Sequence, residues 1–228
     1  MKKFLILILI LLFSDFLYAQ DQKTVIVKAG TSLLDYFTVP ERYLNPEFVP
    51  GRVYFKSNNY TVRQLNYNYL AGEIEFIQDS DTLSLVSKSD IKSIIIQQDT
   101  FYYDKGYILQ IKSGPPELGV KEAYEFKELQ KKDPYGLSGS GGATNTYSSL
   151  PSDGKHYELK ANYDMKFTRT KVYYISMLNN NFALYNKKNV FNLFPGNKDN
   201  IKSFLKKNKT KFDSEEDLLK LTEFLGDL

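Results

Sequence analysis

Two glutamates and a histidine are the residues of this chain whose types and positions could do acid–base chemistry. Glu73 and Glu75 stand two positions apart in an alternating stretch, so a β-strand would project both to one side. Glycoside hydrolysis uses two carboxyl groups about 5–10 Å apart, one of them with a raised pKa. Because nothing in the pattern sets the two environments apart, we expect both on a solvated sheet face. His156 is the only histidine, and its alternation with Tyr157 also predicts a position that faces solvent.

Two short motifs resemble ligand-binding loops but lack some of the residues that such loops require. Asp79-Ser80-Asp81 matches the first two ligand positions of an EF-hand calcium loop, but the glycine and the final glutamate are missing, so a turn is expected. Gly139-Ser140-Gly141-Gly142 is glycine-rich like a phosphate loop, but no Lys-Ser or Lys-Thr pair follows. The chain has no cysteine, which excludes disulfides and thiolate chemistry. We therefore predict no catalytic residue, no cofactor and no metal ligand.

The stretch L-N-Y-N-Y-L-A-G-E-I-E-F, residues 65–76, alternates apolar and polar side chains and places Tyr67 and Tyr69 on one strand face. This aromatic face could stack on a ligand or lie in the core. Ile74 and Phe76 are its natural cross-strand neighbours, which favours the core or a partly covered sheet face.

Two hairpin registers would keep these apolar faces together. One has a two-residue loop at 71–72, which pairs Tyr67 with Phe76, and the other has a four-residue loop at 69–72. A three-residue loop would set the tyrosines against glutamates, so we reject it.

The elements that would position these residues are mainly short strands. Turn residues separate alternating segments from Gly51 onward, and a composition of 18 Tyr and 16 Phe without Trp favours strands over helical bundles. We expect a further strand at 123–126 and a hairpin around Asn179-Asn180-Asn181. The fold class predicted is α+β, mainly antiparallel β, with a β-meander body and short C-terminal helices packed against it.

The last forty or so residues change to helical spacing, and the last helix is predicted to begin at a capping box formed by Asp213 and Glu216. Lysines in this part can line the solvent face of one helix; they are Lys198, Lys202, Lys206 and Lys209. A solvated face is the favoured interpretation. The alternative is a basic face that binds an envelope protein or an anionic glycan or lipid surface.

The first nineteen residues have the pattern of a secretory signal peptide: Lys2 and Lys3, then an apolar run from Phe4 to Phe13, then Ala19. The apolar run is shorter than the roughly 20 residues that span a membrane. We expect cleavage near Ala19 and a mature chain that is exported, periplasmic or secreted, soluble and not membrane-spanning. The formal net charge of +3 gives no reason to expect nucleic-acid binding.

The predicted organisation is a signal peptide at 1–19, an antiparallel β-rich region at 20–132, a flexible Gly/Ser/Thr-rich loop at 133–154, and strands plus helices at 155–228. We expect the last region to belong to the same compact body as the first β-rich region.

Several runs resemble a type of uncharacterised exported β-rich protein typical of Bacteroidetes-like bacteria. The runs are G-R-V-Y-F at 51–55, L-N-Y-N at 65–68, E-I-E-F-I at 73–77, D-I-K-S-I-I-I at 90–96, T-F at 100–101 and L-Y-N-K-K-N-V-F-N-L-F-P at 184–195. The resemblance covers most of the mature chain. It implies an envelope location and a Gram-negative host, and no site residue follows from it.

The preferred function is therefore a non-enzymatic periplasmic or envelope-associated binding module. The alternative is a carboxylate-dependent hydrolase acting on glycan or peptide, which a cleft lined by two acids of unequal burial would favour. An outer-membrane barrel would also explain the alternating strands, but the helical, lysine-rich C-terminal part does not look like a closing strand.

Overall fold

The computed structural model describes residues 24–129, 146–147, 164–177 and 181–228. The described strands are β1 (Thr24–Val27), β2 (Val49–Phe55), β3 (Tyr60–Asn68), β4 (Glu73–Gln78), β5 (Asp81–Ser84), β6 (Ile91–Ile96), β7 (Asp99–Tyr103), β8 (Tyr107–Lys112), β9 (Glu117–Leu129), β10 (Thr146–Tyr147), β11 (Asp164–Ser176) and β12 (Ala183–Leu184). The described α-helices are α1 (Leu33–Tyr36), α2 (Val39–Arg42), α3 (Lys187–Leu193), α4 (Lys198–Asn208) and α5 (Glu215–Gly226).

These strands form one antiparallel sheet in the order β1-β11-β9-β8-β7-β6-β2-β3-β4-β5, while β10 pairs with β9 and β12 with β11. Helix α5 packs against β9. The predicted class, mainly antiparallel β with short C-terminal helices packed against the sheet, is thus confirmed.

Some predictions concern segments that lie outside the described residues. These are the signal peptide at 1–19, the glycine-rich motif at 139–142, and the strand that contains His156. Of the predicted loop at 133–154, only Thr146–Tyr147 is described, as strand β10.

The longest strand pair is formed by β9 and β11. Each has thirteen residues, and they pair from Glu117 opposite Ser176 to Leu129 opposite Asp164 without a register shift. The prediction of a short strand at 123–126 is therefore wrong in extent. Some polar residues of β9 have a weak strand propensity of their own, and pairing with β11 keeps them extended.

The other edge of β9 is shared between different partners. It pairs with β8 over 118–120 and with β10 over 126–127, and no described strand pairs with the edge between them. There the sheet curls back, and the backbone N–H of Tyr124 donates to the carbonyl oxygen of Tyr69 at 2.9 Å. The end of β3 therefore lies against β9, although the two strands are not neighbours in the sheet order.

Two hydrophobic cores lie on the same face of the β9–β11 ribbon. The first lies inside the curl of the sheet and includes Phe126 and Phe167, and the second lies beneath the helices and includes Leu118 and Ile175. The second core is completed by buried helical residues, which are Val190, Ile201, Leu218, Leu221 and Leu225.

Charged side chains separate the two cores on this face. Arg169 Nε lies 2.8 Å from Glu122 Oε1, and Lys171 Nζ lies 3.4 Å from Glu215 Oε2 in the first turn of α5. The Arg169 guanidinium also covers the ring of Tyr69 at 3.6 Å from its centroid.

The start of α5 differs from the prediction by one residue. Ser214, not Asp213, is the N-cap, and its hydroxyl accepts from the backbone N–H of Asp217 at 3.3 Å. The Asp213 and Glu216 capping box is therefore wrong. Ser and Asp are comparable N-caps, so the local sequence did not discriminate between these positions.

The β3–β4 hairpin has the four-residue loop of the two predicted alternatives. Tyr67 pairs with Ile74 and Asn68 with Glu73, so the two-residue loop, which pairs Tyr67 with Phe76, is wrong. The Asn68 Oδ1 atom accepts from the backbone N–H groups of the next residues, Leu70 at 2.9 Å and Ala71 at 3.1 Å. This side chain supplies the turn with an acceptor that a shorter loop would not need.

The predicted solvated face of β4 is wrong because the segment after α2 covers it. Glu75 is 3% exposed; its carboxylate accepts from Tyr43 OH at 2.9 Å and from Asn68 Nδ2 at 3.0 Å. Asn66 is also buried and forms hydrogen bonds with the backbone of Asn45. Buried polar groups of this kind require such partners, and the covering segment was not predicted from the sequence.

Gly119 of β9 lies close to the side chains of Ile108 on β8 and of Phe182, just before β12. A Cβ atom at this position would collide with Ile108 Cγ2 and lie 3.1 Å from Phe182 Cε1. We expect Gly119→Ala to lower the free energy of unfolding by about 1–3 kcal/mol, as overpacking typically does. Chemical denaturation would measure this change.

Gly196→Ala is the matched control, since a Cβ atom there meets no described atom within 4 Å. Its effect should stay within about 0.5 kcal/mol. Equal unfolding midpoints for the two variants would contradict the packing argument at Gly119.

Candidate functional site

A cleft of about 340 Å³ opens beside the part of β9 that no described strand covers. One wall consists of the β3–β4 turn and the β7–β8 turn, and the other consists of side chains from β9 and β11 on the face opposite to Glu122 and Arg169. Four tyrosines contribute to its lining: Tyr67, Tyr103, Tyr107 and Tyr174. We name it the tyrosine cleft.

An ion pair lies at one end of the tyrosine cleft. Lys88 Nζ donates to Glu73 Oε1 at 2.5 Å, and the two side chains are 23% and 16% exposed. The same ammonium group lies 5.6 Å from the ring centroid of Tyr103 and 5.9 Å from that of Tyr107. The rings and the carboxylate therefore hold Lys88 in place together.

Burial alters the ionisation of the groups in this part of the cleft. It raises the pKa of Glu73, although the ion pair with Lys88 opposes the shift. Burial also raises the pKa of Tyr107, and the nearby Glu73 carboxylate adds to that shift. Tyr107 is therefore a neutral phenol at physiological pH, with a proton to donate.

Two buried polar atoms here have no hydrogen-bond partner among the described residues: Glu73 Oε2 and the hydroxyl oxygen of Tyr107. Tyr107 is only 2% exposed, and both residues line the cleft. Buried polar atoms are nearly always satisfied in folded proteins. Both atoms have almost no solvent-accessible surface, so a ligand reaches them only when neighbouring side chains move.

Lys121 holds the opposite side of the cleft together. Its ammonium group donates to the carbonyl oxygens of Asp104 and Lys105 in the β7–β8 turn. It lies 4.7 Å from the ring centroid of Tyr174, and burial lowers its pKa. Lys121 therefore ties the turn to the β9–β11 ribbon.

The predicted aromatic face lies in the core. Tyr67 is 4% and Tyr69 7% exposed, and Tyr67 OH donates to the carbonyl oxygen of Glu122 at 2.9 Å. Only Tyr67 of the two also lines the cleft. The structure thus places these residues as the core interpretation expects.

The two glutamates considered for acid–base chemistry are separated by the fold. Glu73 lines the cleft, whereas Glu75 is buried beneath the covering segment. The second carboxylate in the cleft belongs to Glu125 on β9, which is exposed.

The predicted basic face is exposed on α4 and just after it. Lys198, Lys202, Lys206 and Lys209 are all solvent-accessible, while Ile201 is fully buried. Lys202 forms an ion pair with Asp199 at 2.9 Å. These lysines do not line the tyrosine cleft.

Sequence reasoning missed Lys88, Tyr103, Tyr107 and Lys121. A signal did exist for the two tyrosines, since Tyr103 and Tyr107 flank the turn Asp104-Lys105-Gly106 and so must lie close together. No local pattern relates Lys88 or Lys121 to them.

The described residues contain no group of three or more His, Asp or Glu side chains arranged to hold a metal ion. Across the same ranges, no helix is both long enough and apolar enough to cross a membrane. Comparison with protein-family models, curated proteins and solved structures finds no match to this chain.

The buried position of Glu73 should make stability depend on pH. Because its pKa is higher in the folded than in the unfolded state, the folded protein binds more protons in the window above the ordinary pKa of 4.5. The free energy of unfolding should therefore fall as pH rises through that window. In Glu73→Gln this contribution is absent.

Urea denaturation of both proteins from about pH 4 to pH 7 would measure the effect. The raised pKa values of Asp99 and Glu117 affect both proteins equally. The stability of the wild type relative to Glu73→Gln should decrease with pH. A constant or increasing difference would contradict the assignment.

Proposed function

We propose that this chain is an exported, non-enzymatic binding protein of the cell envelope and that the tyrosine cleft is its ligand site. The observation that carries the proposal is that Glu73 and Tyr107 line a cleft of about 340 Å³ and that each has a buried polar atom with no hydrogen-bond partner among the described residues. Ligand pockets have volumes of about 300–1,000 Å³ and combine apolar walls with a few oriented polar groups. The tyrosine cleft fits that description.

The ion pair supports binding over catalysis. Lys88 holds one oxygen of Glu73 at 2.5 Å, which favours the charged carboxylate and fixes its orientation. A general acid must instead hold a transferable proton near neutral pH. Glu73 is therefore better suited to accept a hydrogen bond from a ligand.

One observation favours a hydrolase as the second candidate. Glu73 and Glu125 are carboxylates of unequal burial that line the same cleft, and burial raises the pKa of Glu73. Acid–base pairs in hydrolases differ in this way. The binding experiment described next separates the two candidates.

Ligand binding can be tested by NMR on the full-length protein labelled with ¹⁵N. The probes are maltotriose and chitotriose as neutral saccharides, Gly-Gly-Gly as a peptide, and inorganic phosphate as an anion. At least one probe should shift the amide signals of residues 103–107 and 121–125 in a saturable manner. Thr170→Phe, which fills the cleft, should abolish these shifts.

Val62→Phe is the matched control, because Val62 is 50% exposed on β3 and does not line the cleft. The proposal fails if no probe shifts these signals, or if Thr170→Phe leaves the shifts unchanged. Cleavage of a probe in the same samples, lost in Glu73→Gln, would establish the hydrolase instead.

Export and the lysine face of α4 are the remaining parts of the proposal. Export is supported by Lys2 and Lys3 followed by a ten-residue apolar run. Binding of an anionic partner is supported by four exposed lysines, Lys198, Lys202, Lys206 and Lys209. Lys202 also forms an ion pair with Asp199. Charge attraction of this kind is screened by salt.

Cell fractionation followed by N-terminal sequencing tests both parts. The protein should begin at Gln20, and its association with envelope material should be lost at high salt. Replacing Lys198, Lys202 and Lys206 by Gln should weaken that association, while the same change at the exposed residues Lys56, Lys92 and Lys127 should not. A start at Met1, or equal effects of the two triple variants, would contradict the proposal.

A further inference from the structure

The polar groups of the tyrosine cleft indicate a class of ligand, provided that the cleft is the ligand site as proposed above. Two of these groups are Glu73 and Tyr107. Lys88 Nζ donates to Glu73 Oε1 at 2.5 Å and lies 5.9 Å from the ring centroid of Tyr107, so both side chains lie beside the same ammonium group. Both Glu73 Oε2 and Tyr107 OH are nevertheless without a partner among the described residues.

These two atoms have complementary requirements. A carboxylate oxygen only accepts hydrogen bonds, and the neutral phenol can donate one. A single ligand atom that donates to Glu73 and accepts from Tyr107 would satisfy both. An alcohol hydroxyl does this with one oxygen, whereas a peptide group carries its donor and its acceptor on different atoms that point in opposite directions.

The charge of this part of the cleft favours a neutral ligand. Glu73 and Lys88 form an ion pair at 2.5 Å and neutralise each other. Lys121 is occupied by the carbonyl oxygens of Asp104 and Lys105. A charged ligand would lie beside a like charge, either Glu73 or Lys88, and such a contact is costly in a partly buried site.

The rest of the cleft surface suits a ligand ring that has an apolar face and a polar rim. The rings of Tyr103 and Tyr107 lie edge to face with centroids 5.2 Å apart, and Tyr174 lines the other side of the cleft. Aromatic rings offer flat apolar contact, and tyrosine adds a polar tip. Sugars present C–H groups on one face and hydroxyls around the rim.

We propose that the tyrosine cleft binds a neutral, hydroxyl-rich ligand, a saccharide unit or the end of a glycan. A movement of the lining side chains lets one ligand hydroxyl donate to Glu73 Oε2 and accept from Tyr107 OH. Tyr107 contributes its proton and Glu73 its free oxygen to the same ligand atom. Lys88 holds Glu73 in the orientation that this contact needs.

The experiment compares dissociation constants by isothermal titration calorimetry for maltotriose, chitotriose, Gly-Gly-Gly and inorganic phosphate on the full-length protein. At least one saccharide should bind, with the peptide and phosphate at least tenfold weaker. Tyr107→Phe, which removes only the hydroxyl, and Glu73→Gln should each weaken saccharide binding about tenfold. Because both residues contact one hydroxyl, the double variant should lose far less than the product of the two single effects.

Tyr60→Phe is the control, since Tyr60 is 62% exposed and outside the cleft; it should bind like the wild type. Circular dichroism would establish that each variant is folded. Binding of Gly-Gly-Gly or phosphate in preference to both saccharides overturns this inference and leaves the proposed function standing. Binding of no probe overturns both, and saccharide binding that is unchanged in Tyr107→Phe and Glu73→Gln overturns the contact.

Discussion

One of the two edges of β9 is longer than any described strand that pairs with it. The rest of the structure depends on this mismatch. The pairing of β9 with β11 keeps thirteen residues extended, while the described strands on the opposite edge, β8 and β10, pair with 118–120 and 126–127. The backbone groups between them still require hydrogen bonds. The Tyr69 carbonyl accepts from Tyr124 N–H, and Tyr67 OH donates to the Glu122 carbonyl. The end of β3 must therefore lie against β9, and the tyrosine cleft is the space beside this contact.

The same ribbon also explains how two cores coexist on one face. Glu122 of β9 lies directly opposite Lys171 of β11, and together with Arg169 these charged residues lie between the two cores. Their charges are partly buried, so they are compensated within the group and by Glu215 at the start of α5. The ion pairs thus position the helical part relative to the curled sheet, although each pair alone contributes little.

Local features of this fold could be predicted, and contacts distant in sequence could not. The alternation at 65–76 correctly predicts which residues share a strand face, because the period of two is a property of the strand itself. The burial of Glu75 depends on Tyr43, which is 32 residues away, and no local pattern reports that contact. The candidate site shows the same limit: Tyr103 and Tyr107 are related by a visible turn, but their position beside Glu73 depends on the curl of the sheet.

At Tyr107 the residue present is not the one that would make the fold most stable. A phenylalanine at this position would occupy nearly the same space without a buried hydroxyl, and an unsatisfied polar group costs about 1–3 kcal/mol. Burial near Glu73 also makes the phenol a poor acid, so it cannot relieve the cost by ionising. Departures from local consistency of this kind are expected at functional sites. Among the described residues the tyrosine hydroxyl has no hydrogen-bond partner, so the stability of the fold alone does not account for it.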